Sequence, residues 1–141
     1  MKTKSSITVR YAETDKMGIV HHSVYPIWFE IGRTDFMKHM GMPYSIMEET
    51  GVMTPLTELN CKYYLPAYYE DELTVETWVS KITAARIVFE YSVKRDKDEK
   101  LLSVGSTCHG FVSSNTFRPV NIKKEMPGIF EAIQNLSLIH I

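Results

Sequence analysis

The chain has 141 residues, of which 44% are hydrophobic and 23% charged, a composition that fits one globular domain. Its 16 basic and 17 acidic residues give a net charge of −1, which does not support a nucleic-acid-binding surface. No apolar run is long enough for a membrane span or a signal peptide, and two cysteines do not suggest a disulfide framework, so we expect a cytoplasmic single domain over residues 1–141 without membrane insertion.

The first half of the chain predicts a strand, a loop and a long helix. Residues 6–12 have a strand-like pattern, and the segment "ETDKMG" that follows is typical of a loop. Ser23 is a plausible N-cap, and apolar residues then recur at helical spacing from Val24 to Met40. The apolar arc of this helix is wide, so we predict that the helix is mostly buried. A shorter helix is predicted to end at Gly51.

The second half of the chain changes to the period of β-strands. Polar and apolar residues alternate over 71–82 and 85–95, and further strands are predicted over 101–112 and over 54–69, where Pro66 ends the strand. The charged segment "RDKDEK" predicts a turn in solvent between two of these strands. A closing helix is predicted from Pro127, and the tail from about residue 137 has no clear role and is a candidate for disorder.

This order of elements predicts the α+β class, with one antiparallel sheet curled around one long helix. The helix packs on one face of the sheet, and the apolar residues of the other face or of the edge strands need another protein surface to bury them. The strand faces that carry Trp78, Val88 and Tyr91 are too apolar to be fully wet. We therefore expect the chain to form an oligomer.

Asp15 and His22 lie in the loop just before the long helix, and Tyr11 precedes them. Backbone N–H groups at a helix N-terminus are unpaired and can polarise a carbonyl oxygen. A carboxylate beside them can act as a nucleophile or as a general base toward water, and an imidazole can donate to the oxyanion. Tyr11 could hold the carboxylate with its hydroxyl group. The competing interpretation is that Asp15 is only a turn or cap residue.

Other candidate sites are weaker. Adjacent His21 and His22 rarely point to one centre, so no metal site and no cofactor are predicted. Cys108 and His109 are neighbours within a predicted strand, so their side chains should face opposite ways and not form a nucleophile–base pair. Arg118 is interpreted as a loop residue in solvent.

The segment "VRYAETDKMGIVHHSVYPIWFEIGR" resembles the signature of hotdog-fold acyl-CoA thioesterases of the 4-hydroxybenzoyl-CoA thioesterase family, and most closely those associated with the Tol-Pal envelope system. The matching positions in this sequence are Tyr11, Glu13, Thr14, Asp15, Gly18, Val20, His22, Tyr25, Glu30 and Arg33. The later segments "YYLPAYYEDELTVET" and "FRPVNI" are similar to the second strand and the closing segment of the family. The chain departs from the pattern at His21 and Val24, where tyrosine and asparagine are usual.

The resemblance implies a five- or six-stranded sheet wrapped around a central helix, a homodimer or homotetramer, and active sites between subunits. It implies hydrolysis of acyl-CoA with Asp15 as the catalytic carboxylate and His22 and Tyr11 as supporting residues. The substrate-binding candidates are Ser23, Val24 and Tyr25 at the helix entrance and the cations Lys62, Lys81 and Arg86 for the CoA phosphates. The alternatives are an acyl carrier protein thioesterase and a non-catalytic acyl-CoA-binding protein.

Overall fold

An antiparallel five-stranded sheet is the main layer of the molecule. The computed structural model describes the backbone of residues 1–139 and the side chains up to residue 136. The seven strands are β1 (Thr3–Thr8), β2 (Val52–Met53), β3 (Leu56–Tyr63), β4 (Glu72–Ile82), β5 (Arg86–Arg95), β6 (Leu101–Gly110) and β7 (Val112–Ser113). The large sheet has the order β1-β4-β5-β6-β3, while β2 and β7 form a separate pair.

Four α-helices accompany the sheet: α1 (Tyr25–His39), α2 (Tyr44–Thr50), α3 (Ile122–Glu125) and α4 (Pro127–Ile139). Helix α1 carries the largest buried side chains, and the ring of Phe29 stacks on Tyr91 of β5 with 4.4 Å between centroids. Gly105 makes this approach possible, because a Cβ atom there would overlap the Phe29 ring and lie 2.7 Å from the carbonyl oxygen of Asn60. The glycine therefore lets the helix sit closely on the sheet.

The predicted α+β class, with an antiparallel sheet around one long helix, is confirmed. The first strand was placed too late, because β1 spans Thr3–Thr8 and residues Tyr11–Glu13 form a 3-10 turn. The Glu13 carboxylate closes this turn by accepting the backbone N–H of Arg10 at 2.8 Å. Helix α4 includes residues 137–139 of the predicted tail, and residues 140 and 141 lie outside the described part of the chain.

The apolar surface that needs cover differs from the prediction. Tyr91 is buried against α1, and Trp78 and Val88 are half-buried. Exposed apolar residues lie instead on α1, which exposes Ile27 and Ile31, and on β3, which exposes Leu56 and Leu59. Strand β3 is an edge strand that pairs only with β6 among the described residues. Within residues 1–139, no helix has both the length and the hydropathy needed to cross a membrane.

Candidate active site

Asp15 occupies a tight hairpin turn. Its backbone N–H donates to the carbonyl oxygen of Ile19 at 2.8 Å, and its carbonyl oxygen accepts from Gly18 at 3.0 Å. The side-chain Oδ1 accepts the backbone N–H of Met17 at 2.8 Å. The residue thus makes the turn contact that the competing interpretation predicts. Its other oxygen, Oδ2, has no hydrogen-bond partner among the described residues and is available for chemistry.

Glu13 holds the start of this hairpin against α1. The carboxylate is 6% exposed, and Oε2 accepts the indole N–H of Trp28 at 3.2 Å. Arg10 supplies the counter-charge, with its Nη2 atom 3.4 Å from Oε2. Because Glu13 is buried and its oxygens are occupied, we assign it a structural role rather than a chemical one.

The segment 66–71 holds the other side of the hairpin. The Val20 N–H donates to the carbonyl oxygen of Ala67 at 2.9 Å. Buried Arg95 fixes this segment, because its Nη1 atom donates to Oδ2 of Asp71 at 3.0 Å and to the carbonyl oxygen of Pro66 at 3.1 Å. The hydrogen bond to Asp71 raises the pKa of Arg95. The prediction of a solvent turn from residue 95 is therefore wrong for Arg95 itself, which is 8% exposed.

The helix entrance is built around the two histidines. His21 Nδ1 accepts the Ser23 backbone N–H at 3.2 Å, so the neutral ring carries its proton on Nε2. The exposed ring of His22 lies on that of His21 with 4.1 Å between centroids. The carbonyl oxygen of His22 accepts the hydroxyl of Tyr63 at 2.8 Å. Its backbone N–H has no hydrogen-bond partner among the described residues, and His22 is exposed.

Asp15 and His22 share one hairpin without touching. The backbone pairs Asp15 with Ile19 and Glu13 with His21, so His22 follows three ladder positions after Asp15. No hydrogen bond joins the two side chains within the described residues. The backbone of the hairpin, and no contact between their side chains, therefore holds the two residues in one segment.

Several predicted roles change once the residues are placed. Ser23 does not cap α1: Val24 is the N-cap residue, and His21 caps the 3-10 turn that precedes the helix. Val24 and Tyr25 are 8% and 2% exposed, so their side chains pack in the core, and a contact between their backbone and substrate stays a prediction. Burial raises the pKa of Tyr25 to about 12, which keeps its hydroxyl protonated.

Tyr11 does not hold the Asp15 carboxylate. The 3-10 turn directs its ring outward, where it is 75% exposed and lies edge-on to Tyr69 with 5.6 Å between centroids. No hydrogen bond from its hydroxyl to Asp15 is formed by the described residues. A contact between Tyr11 and substrate remains a prediction.

The three candidate CoA-binding cations do not form one cluster within a single chain. Lys62 lies opposite Val104, and Arg86 lies opposite Gly110, six residues further along β6. This separation is roughly 20 Å at the rise of a strand. Lys81 lies in the β4 segment opposite Val88. All three side chains are exposed. Lys62 is thus far from Arg86 in one chain, and a shared role would require a second subunit.

A buried chain of hydrogen bonds was missed from the sequence. Arg33 Nη1 donates to the Tyr91 hydroxyl at 3.1 Å, which lies 2.6 Å from Thr107 Oγ1. Thr107 Oγ1 lies 2.9 Å from His109 Nε2, and His109 Nδ1 lies 3.1 Å from the carbonyl oxygen of Thr54. A carbonyl oxygen can only accept, so the proton of the neutral His109 ring is on Nδ1 and Nε2 accepts from Thr107. In all four hydrogen bonds the donor is therefore on the Arg33 side and the acceptor on the Thr54 side. The one signal in the sequence is the alternation of β6, which puts His109 on the opposite face from Cys108.

His109 makes the stability of the fold depend on pH. Burial, together with the charge of Arg33, lowers the pKa of His109 from 6.5 to about 4. The unfolded chain therefore binds more protons below pH 6.5, and the stabilisation is present above that pH and lost as the pH falls toward 4. We expect the free energy of unfolding to drop by about 2–3 kcal/mol from this residue between pH 7 and pH 4.

Urea unfolding of wild-type protein and His109→Gln at several pH values measures this effect. Glutamine can accept from Thr107 and donate to the Thr54 carbonyl, but it does not titrate. In His109→Gln the free energy of unfolding should depend much less on pH than in wild type. In His39→Gln, at an exposed residue of α1, the pH dependence should stay as in wild type. Equal slopes in wild type and His109→Gln would contradict the assignment.

The described residues contain no group of three or more His, Cys, Asp or Glu side chains placed to hold a metal ion. Cys108 is half-buried and the neighbouring His109 is on the buried face of β6. The chemical groups available at the helix entrance are therefore a carboxylate oxygen, a free backbone N–H and an exposed imidazole.

Comparisons with known proteins agree with this fold. A family model described as the thioesterase-like superfamily matches residues 9–130. The putative acyl-CoA thioesterase YneP from Bacillus subtilis is 37% identical over 125 residues, covering 89% of this chain and 90% of that protein. The acyl-CoA thioesterase YbgC from Haemophilus influenzae is 29% identical over 129 residues, covering 91% of this chain and 93% of that protein.

The fold is also shared with a solved structure. The crystal structure of DHNA-CoA thioesterase from Staphylococcus aureus has a TM-score of 0.91 and 32% identity, and the match covers 99% of this chain and 95% of that one. The predicted hotdog fold is confirmed. Since the family model spans most of the chain and the relatives match nearly end to end, the chain belongs to the thioesterase-like superfamily.

Proposed function

We propose that this protein hydrolyses acyl-CoA thioesters to a free acid and CoA. The observation that carries the proposal is the hairpin that presents Asp15 Oδ2 at its turn and the unpaired backbone N–H of His22 at its other end. A thioester needs these two groups: a nucleophile or base on the carbonyl carbon and a donor to the carbonyl oxygen. The named activity of the relatives supports the same reaction.

Asp15 has two chemically complete roles. As a nucleophile, Oδ2 attacks the thioester carbon, the thiolate of CoA leaves, and water then hydrolyses the mixed anhydride. As a general base, Oδ2 takes a proton from water while the resulting hydroxide attacks the same carbon, and the C–S bond then breaks to release the CoA thiolate, which takes up the proton. In both, the His22 N–H and the positive end of the α1 dipole stabilise the charge on the carbonyl oxygen. His22 supports the site with its exposed ring.

The substrate is assigned to acyl-CoA rather than to a thioester of acyl carrier protein. Release of CoA from a panel of short, long and aromatic acyl-CoA substrates, followed with a thiol reagent, tests this. Turnover supports the proposal, and turnover restricted to acyl carrier protein substrates contradicts it. Binding of acyl-CoA without turnover of either class would favour a non-catalytic acyl-CoA-binding protein. A cytoplasmic location and an association with the Tol-Pal system belong to the same proposal, on the resemblance alone.

The active unit is proposed to be a homodimer or a homotetramer, with sites between subunits. Strand β3 supports this, because one edge is unpaired within the described chain and Leu56 and Leu59 are 53% and 42% exposed on it. A second β3 strand alongside would pair that edge and cover the apolar side chains. It would also bring Lys62 of each subunit close to the joint between them.

Sedimentation velocity at micromolar concentration should therefore show a dimer or tetramer and little monomer. Leu59→Lys places a charge on the exposed edge and should shift the distribution toward monomer. Lys81→Glu, away from β3, serves as the matched surface control and should leave the assembly unchanged. A wild-type protein that sediments as a monomer would refute both the assembly and the shared-site arrangement.

A further inference from the structure

A large cavity lies on the other half of α1 from the Asp15 hairpin. Its volume is about 600 Å³, within the range of ligand sites. It is bounded by the second half of α1, by α2 and by α3 and α4, and its lining is mostly apolar. Five of the eight methionines of the chain line it: Met37, Met42, Met47, Met53 and Met126. Methionine side chains are flexible and polarisable, so such a wall adapts to ligands of different shape.

One cation lies in this apolar wall. Arg33 lines the cavity, and its guanidinium has one hydrogen bond among the described residues, the bond from Nη1 to the Tyr91 hydroxyl. No carboxylate of the described residues lies within ion-pair distance of it. Glu48 is the only acidic residue of the described lining, and its side chain is exposed on α2. The cavity therefore presents a positive charge that has no carboxylate partner among the described residues.

The buried hydrogen-bond chain fixes this charge in place. The three inner residues of the chain are each at most 2% exposed: Tyr91, Thr107 and His109. In every hydrogen bond of the chain the donor is on the Arg33 side and the acceptor on the side of the Thr54 carbonyl. Burial raises the pKa of Tyr91, so its hydroxyl stays protonated. Both ends of the chain, Arg33 and Thr54, line the cavity. The guanidinium is thus oriented before any ligand arrives, and its remaining N–H groups, which have no partner among the described residues, can bind an anion.

We propose that this cavity is a binding site for an amphipathic carboxylate, an aryl or medium-chain organic acid whose carboxylate pairs with Arg33. Arginine binds carboxylates in a planar, two-bond geometry, and the methionine-rich wall accepts the apolar body. Arg33 is eight residues along α1 from Tyr25, about 12 Å at the rise of a helix, so the site is separate from the Asp15 turn in one chain. Acids released by thioester hydrolysis belong to this class, and a role in product retention rests on the proposed function.

Calorimetric titration with 2-naphthoate and with 2-naphthylmethanol, its neutral counterpart, tests the charge pairing. The wild-type protein should bind naphthoate about tenfold or more tightly than the alcohol. Arg33→Met should remove that preference while leaving the affinity for the alcohol within about twofold, since the apolar wall remains. Lys38→Met changes an exposed cation of the same helix outside the cavity and should have no effect. Equal affinity of the wild-type protein for the two ligands would overturn the proposal, whatever the fold of the Arg33 variant.

Methionine methyl NMR locates the ligand directly. Naphthoate should shift the signals of the cavity methionines and leave Met17, which lies in the Asp15 turn, unchanged. A shift confined to Met17 would place the ligand at the turn and refute this site. Asp15→Asn should bind naphthoate like wild type. The titration uses neither CoA nor turnover, so a failure of the proposed activity and a failure of this site give different results.

Discussion

Asp15→Asn should lower turnover of acyl-CoA by about 10² to 10⁴-fold, the range that a positioned acid–base group contributes. The substitution should leave the turn intact, because the side-chain carbonyl of asparagine can still accept the Met17 N–H. What it removes is the charge and basicity of Oδ2, which has no partner in the described residues. Substrate binding should persist. Steady-state and single-turnover rates of CoA release measure the effect.

The competing interpretation predicts the opposite result. If Asp15 is only a turn residue, asparagine serves as well and both turnover and stability stay near wild type. Circular dichroism and a melting curve should confirm that the variant is folded. His22→Ala should lose less activity than Asp15→Asn, because its backbone N–H remains when the ring is removed. An Asp15→Asn protein that keeps more than about a third of wild-type turnover, far above the expected range, refutes the catalytic assignment.

Arg95→Met should lower the free energy of unfolding by about 3–5 kcal/mol, because it leaves a buried carboxylate without its counter-charge. The Arg95 and Asp71 side chains are only 9% and 10% exposed, and Nη1 of Arg95 lies 3.0 Å from Oδ2 of Asp71. For a chain of this size the midpoint of thermal unfolding should fall by about 10 °C or more. Thermal and urea unfolding followed by circular dichroism measure both quantities.

Two controls separate the buried pair from surface charge. Lys94→Met removes the neighbouring cation, which is 47% exposed and lies 3.6 Å from Glu76, and should cost less than about 1 kcal/mol. Adding Asp71→Asn to Arg95→Met removes the stranded charge and should restore part of the lost stability. An Arg95→Met protein as stable as Lys94→Met would show that the pair does not hold the 66–71 segment.

Local patterns in the sequence predicted the regular elements well. Helix α1 spans Tyr25–His39, within one residue of the predicted Val24 to Met40 at each end, because apolar periodicity and Gly41 mark it locally. Strands β4 and β5 followed their alternation closely. The helix start was misread because Ser23 suits a cap by residue type, whereas Val24 is the N-cap residue of α1 and no side chain caps the helix. Ser23 instead belongs to a 3-10 turn, where its backbone N–H donates to His21 Nδ1.

Long-range partners explain the features that the sequence did not reveal. Arg95 lies in a run of charges and appeared to be a solvent residue, but its partner Asp71 is 24 positions earlier. The chain from Arg33 to His109 joins residues of three elements, and the cavity beside it is formed by parts of the chain that are distant in sequence. The sequence could single out Asp15 as a candidate, since a carboxylate beside a helix entrance is a local pattern, and its catalytic role stays a prediction. The sequence did not reveal that only one of its two carboxylate oxygens lacks a hydrogen bond among the described residues.

The strand order has a consequence for how the protein folds. Strands β4, β5 and β6 are consecutive hairpins, so their contacts close short loops and can form early. Strand β1 pairs with β4 across more than 60 residues, as between Thr8 and Glu72, and β3 reaches β6 over a gap of about 40 residues. The outer strands and the helix between them therefore dock late, after a larger loss of chain entropy. The Asp15 hairpin lies between β1 and α1, so we expect the loop that carries Asp15 to be completed with the last part of the molecule to fold.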